Sequence, residues 1–200
     1  RGCEVTMART GMGAIIEELR SLTEAGTAEY TLGTTSYWQD DALQDILDLH
    51  RKDLRFSLLQ PIPDTVQGGT LEYYEYRSEH GYFEATNGGT SVLYLQNSTG
   101  ATAGTSLWSA DYRRGVFTFG ANQAGTIYYL TGRSYDINAA AADVWRRKAA
   151  HYAPTSFDFS TDNHTISRSQ VYTHAIDMVK FFEGISGDSI NVIERYRSDM

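Results

Sequence analysis

The sequence predicts an α+β fold: a helical bundle core of about four helices with an inserted small antiparallel β module. Two observations predict it. Apolar residues recur at helical spacing towards both ends of the 200-residue chain, and between them lie short runs of β-branched and aromatic residues separated by turn formers. Residues 1–60 and 132–200 are then the helical core with its terminal arms, and residues 61–131 the inserted module.

The first helix is expected over residues 11–25, where Ile15, Ile16, Leu19 and Leu22 share a face and Gly26 is a stop signal. A second runs from about residue 38 to 56, started by Ser36 or Asp40. Leu43, Ile46, Leu47 and Leu54 form its apolar stripe. Its aspartates, Asp40, Asp41, Asp45 and Asp48, lie early, and its bases, His50, Arg51, Lys52 and Arg55, lie late, which suits the helix macrodipole. Pro61 and Pro63 close the helical region. Five runs then have strand chemistry: TLEYYEYR, SVLYLQ, SLWSADY, GVFTFG and TIYYL. Asn87-Gly88-Gly89, residues 97–106, Arg114-Gly115 and residues 122–125 separate them as turns.

Helix returns after Asp136, a good N-cap, through INAAAADVWRRKAAHYA, and Pro154 stops it. The run Ala139 to Ala142 allows a neighbouring helix to approach closely. TSFDFSTDNHTI reads as an ordered loop or short hairpin. Ser167-Arg168-Ser169-Gln170 has capping-box spacing before a last helix that buries Val171, Ala175, Met178, Val179 and Phe182 and ends at Gly184. The tail SINVIERYRSDM is expected to add a strand and end exposed.

Seventeen Lys and Arg against twenty-five Asp and Glu leave a net charge of −8, which argues against binding nucleic acid by neutralising phosphates over the whole surface. No stretch approaches the roughly 20 apolar residues of a membrane-spanning helix, and no signal peptide is expected. Cys3 is the single cysteine, so no internal disulfide or cysteine metal cage is expected.

The common catalytic signatures, such as G-x-S-x-G, a Walker loop, a dinucleotide fingerprint or H-E-x-x-H, are missing. The histidines, His50, His80, His151, His164 and His174, lack metal-ligand spacing, although His164 and His174 could meet across a loop and a helix. Asp158, Asp162 and Asn163 offer oxygen ligands without the EF-hand pattern and read better as turn formers. Glu72, Glu75, Glu79, Glu84 and Asp111 lie among tyrosines, as glycosidase carboxylates do. Glu72 and Glu75 nevertheless fall on opposite faces of a strand, which favours a solvated sheet with cross-strand tyrosine packing. Trp145 reads as packed, with Ala141 and Ala149 one turn away on either side, and Arg146-Arg147-Lys148 as a basic helix face. No catalytic residue, cofactor or metal is expected.

The segments YDINAAAADVWRRKAAHYA and FDFSTDNHTISRSQ, followed by a helix ending FFEG, resemble the head-to-tail adaptor (connector, head-completion) proteins of tailed phages. YWQDDALQDILDLHR resembles the second-helix region of that family, and DYRRGVFTFG resembles its strand module. The resemblance touches most of residues 36–184. It implies a non-enzymatic virion protein at the head–tail interface, in a ring of about twelve copies between the portal protein and a tail or stopper protein. Double-stranded DNA would pass through the lumen without specific binding, and no membrane is involved. The candidate subunit or portal contacts are Asp40, Asp41, Asp45, Ala139, Ala140, Arg146, Arg147, Arg195 and Arg197, with the early aspartates of the second helix facing the lumen. The alternatives are a neighbouring neck or tail-completion protein, a carbohydrate-binding β module, and a small hydrolase.

Overall fold

The structure is a computed structural model, and it describes residues 8–27, 29–32, 35–65, 71–155, 158–161, 164–167 and 169–186. Cys3, Asp162, Asn163, Arg168, Arg195, Arg197 and the expected tail strand lie outside the described residues.

A short 3-10 turn, Thr10–Met12, leads into α1 (Gly13–Thr23). Strands β1 (Tyr30–Leu32) and β2 (Thr35–Tyr37) precede α2 (Asp40–Leu49). Then come β3 (Arg51–Leu58), β4 (Gln60–Thr65), β5 (Leu71–Arg77), β6 (Thr86–Asn87), β7 (Thr90–Ser91), β8 (Tyr94–Asn97), β9 (Trp108–Asp111), β10 (Val116–Phe119) and β11 (Tyr128–Tyr135). The chain continues through α3 (Ile137–Tyr152), β12 (Asp158–Thr161), β13 (His164–Ser167) and α4 (Ser169–Ile185).

This corrects the expected fold class. The molecule is a β-rich α+β fold, not a helical bundle with a small β insert. Among the described residues the main sheets are four-stranded, in the order β4-β5-β10-β9, and three-stranded, in the order β3-β11-β8; three two-stranded ribbons accompany them. Every pairing is antiparallel. The last third of the expected second helix is strand: α2 ends at Leu49, and residues 51–58 pair with β11. The chain on both sides of residues 61–131 therefore contributes to the sheets.

Two hydrophobic cores result. In the first, α3 is the central element and touches α1, α2 and α4. It packs Ile137, Ala140, Ala141, Val144 and Trp145 against Ile15, Ile16 and Leu19 of α1, Leu43, Ile46 and Leu47 of α2, and Ala175, Val179 and Phe182 of α4. The alanine run of α3 lets these helices come close. The second core holds Leu59, Tyr76, Phe83, Leu93, Leu95, Phe117, Phe119 and Leu130 between the two main sheets. Strand β11 belongs to both cores, through Leu130 at one end and Tyr135 at the other. It then runs directly into α3, whose N-terminus Asp136 caps by accepting a hydrogen bond from the Ala139 N–H at 3.0 Å.

The sheet edges are blunted. β4 carries Pro61 and Pro63. β3 carries Arg51, Lys52 and Arg55 and is bent by a bulge. β8 is covered by the returning chain, which bridges Gln96 to Thr102.

Candidate functional site

Four arrangements of side chains are candidates for function: a buried polar junction, an aromatic cleft and two exposed apolar faces.

The junction lies where the two cores meet. Glu84 is fully buried, and its carboxylate accepts from Arg9 Nε at 2.9 Å, Arg133 Nη1 at 3.3 Å and the Tyr135 hydroxyl at 2.8 Å. Arg9 also forms a bidentate pair with Asp48 at 2.8 and 2.7 Å and donates its backbone N–H to Gln44 Oε1 at 2.6 Å. The hydrogen bond to Asp48 raises the Arg9 guanidinium above its ordinary pKa. Burial first, and then the bond to Glu84, raise the Tyr135 phenol. Two guanidinium groups and a phenol fill three of the roughly four lone-pair sites of this fully buried carboxylate. The junction thus fastens α2, β11 and the segment before α1 together. Of Glu72, Glu75, Glu79, Glu84 and Asp111, Glu84 alone is buried. Nothing in its sequence neighbourhood distinguishes it, because its partners lie 75, 49 and 51 positions away.

A second buried charge, Lys148, is 3% exposed. It pairs with Glu29 at 2.7 Å, donates to the Glu24 carbonyl at 3.1 Å, and lies 5.1 Å from the centre of the Trp145 ring. Lys148 was expected on an exposed basic face with Arg146 and Arg147, and the structure corrects this: only the two arginines are exposed. Arg146 is held by Asp143 and Glu183, and Asp143 also meets His50 at 2.7 Å. Arg147 lines a cleft of about 360 Å³ with Tyr30, Tyr37, His151 and Pro154. His151 stacks on Tyr30 at 3.7 Å between ring centres, and Tyr30 stacks on Tyr37 at 5.0 Å, so the rings of this cleft are already partnered within the chain.

The structure separates the remaining predicted contact residues. Ala140 is fully buried in the first core, which corrects its assignment to a subunit contact: its surface is already used by the chain's own helices. Ala139 is half-buried. Asp40 is exposed but tied to Arg20 at 2.6 Å; Asp41 accepts from the Ala42 N–H at 2.8 Å; Asp45 is exposed. Among the described residues there is no group of three or more potential metal ligands, and His174 lies edge-on to Trp145 at 5.5 Å.

Two exposed apolar faces remain. One is the outer face of the β3-β11-β8 sheet. Cross-strand partners share a face, so Leu58 and Gln96 flank Tyr129, and Tyr94 lies opposite Thr131. Arg55 and Phe56 together oppose Thr131 in a β-bulge, and Phe56 takes a left-handed φ of +53°. The Phe56 N–H donates to Thr131 Oγ1 at 3.2 Å, and Thr131 donates to Gln96 Oε1 at 2.8 Å. The bulge aims the Phe56 ring outward onto Tyr129, with centroids 4.2 Å apart. Phe56, Leu58 and Tyr94 are 43, 54 and 39% exposed.

The other is a stripe on α4. Val171, Met178, Phe181 and Ile185 are spaced seven, three and four residues apart and fall on one side of the helix. Val171, Phe181 and Ile185 are 49, 57 and 49% exposed, while Ala175, Val179 and Phe182 bury the adjoining side against α3. Val171 was expected in the core, and the helix's rotation onto α3 leaves it outside.

No described helix is long and apolar enough to cross a membrane. No protein-family model matches the chain, and a search of curated proteins finds no match.

Proposed function

We propose that this chain is a structural subunit of a tailed-phage neck, an adaptor in a ring that joins the portal to the tail around the DNA passage. The observation that carries the reading is the convergence of the segments that resemble such adaptors. The helices α2, α3 and α4 come from three of those segments and pack into one core, with α3 at its centre. A scaffold in an assembly must keep its surfaces in fixed relation, and the Arg9–Glu84–Tyr135 junction fastens this core to the sheets. Asp41 and Asp45, one turn apart on α2, supply a small acidic face from which a DNA backbone would be repelled and not held.

The test is co-expression of the full chain with a tailed-phage portal protein from the same source, followed by electron microscopy of the purified complexes. Rings of the chain seated on one end of the portal are the expected result. A chain that never co-purifies with the portal and is missing from intact virions would overturn the reading.

A further inference from the structure

We infer that the outer face of the β3-β11-β8 sheet and the exposed stripe of α4 are the two halves of one head-to-tail contact between copies of this chain. The inference rests on the assembly role proposed above only in its choice of partner.

Each face exposes several large apolar side chains on a regular element held in register, and they lie on different elements. With aromatic side chains of ~150–250 Å² and aliphatic ones of ~100 Å² about half exposed, the sheet face and the helix stripe each present on the order of 200 Å². A standard interface buries about 1,600 Å², a little over half of it apolar, so the two faces together supply the apolar centre of one such contact. Neither would suffice paired with an unrelated polar surface.

The rims are complementary. Arg55 stands beside Phe56 in the bulge and forms no ion pair among the described residues. On α4 the residue that flanks the stripe away from α3 is Asp177, one turn before Phe181. Its contact with Lys180, at 3.5 Å between side chains that are 63 and 70% exposed, is long and solvated. An Arg55–Asp177 pair at the edge of the contact sets its direction, helix to sheet. The composition of the sheet face, two tyrosines, a phenylalanine and an arginine, is that of a binding hot spot. The left-handed Phe56 is a local cost that the isolated chain does not need for its core, since the ring points away from it.

A contact between unlike faces leaves each copy with one free half, so it extends into a ring or filament and does not stop at a pair. The experiment is sedimentation velocity of the full chain at about 5–300 µM with three samples: wild type, Leu58→Asp and Phe181→Asp. Both substituted positions are exposed, and circular dichroism verifies that the variants fold. Wild type is expected to grow in mass with concentration. Each variant is expected to associate at least tenfold more weakly. An equimolar mixture of the two is expected to form dimers and nothing larger, because one variant keeps an intact helix stripe and the other an intact sheet face.

The reversed pair Arg55→Asp with Asp177→Arg should restore association that either single change weakens. A wild type that stays monomeric overturns the inference, as does either variant assembling like wild type. A mixture that stays monomeric while wild type assembles overturns it in favour of a like-with-like contact. None of these results touches portal binding, which is measured separately and decides the neck assignment.

Discussion

Replacing Glu84 with Gln removes one negative charge and changes almost no volume, which makes it a clean probe of the junction between the cores. In the native chain two guanidinium groups and one phenol donate to this fully buried carboxylate. A net hydrogen bond to a charged group contributes about 1.5–3 kcal/mol, and breaking one side of a buried ion pair costs about 3–5 kcal/mol. Arg9 keeps its bidentate contact with Asp48, so the lower end applies, and a loss of about 3 kcal/mol is expected. With a urea dependence of about 2 kcal/mol per molar, the unfolding midpoint falls by about 1.5 M at unchanged slope. Equilibrium urea unfolding followed by circular dichroism measures this directly. Changing Arg9 to Ala should then cost less in the Glu84→Gln background than in wild type, because the two residues share one interaction. A midpoint shift under about 0.3 M, or strictly additive losses, would refute the claim that this network fastens the molecule together.

Burial holds the Tyr30, Tyr76 and Tyr152 phenols up to about 12 and raises Tyr135 as well. The unfolded chain releases these protons near pH 10, so stability is full below about pH 10 and is lost as pH rises towards and through about 12. Urea midpoints at pH 9, 10 and 11 should stay level and then fall, and a midpoint that rises above pH 10 would contradict the assignment. Gly11→Ala should cost about 3 kcal/mol or more, because the new Cβ would lie 2.0 Å from the Thr86 carbonyl oxygen with only backbone to yield. Gly13→Ala meets open space within α1 and should add about 0.5–1 kcal/mol; thermal melts of the two variants should move in opposite directions. Lys148→Ala should lose about 3 kcal/mol in urea unfolding by stranding Glu29 and the Glu24 carbonyl.

Much of the local structure was legible from residue pattern. Asp136 caps α3 as its position predicts, and α1 and α4 lie close to their expected places. The β9, β10 and β11 runs are strands, and Gly115 supplies the positive φ of +68° that its turn requires. Its Cβ position would also lie 2.1 Å from the His80 carbonyl oxygen, so the site admits glycine alone.

The misreading of residues 51–58 has a specific cause. Leu54 follows Leu47 by seven residues, so it extends a helical stripe, whereas Leu54, Phe56 and Leu58 also alternate as a strand. Pairing with β11 decided between two patterns that the segment satisfies equally. Pro61 and Pro63 read as a break in the sequence alone, yet a proline suits a strand that lies at a sheet edge, and edge position is a property of topology and not of local sequence. The buried roles of Glu84 and Lys148 were invisible for the same reason: their partners are distant in sequence and carry no local signal.

The guarded sheet edges set how copies of this chain can meet when crowded. Backbone-to-backbone recruitment is closed at β4 by two imino acids, at β3 by clustered cations and a kink, and at β8 by the chain's own return. The remaining edge of the main sheets, β9, is four residues long. Crowded molecules that meet at the two main sheets therefore recognise one another through side chains, which are specific and reversible, and growth of a continuous cross-strand fibre from those sheets is opposed at the level of the backbone.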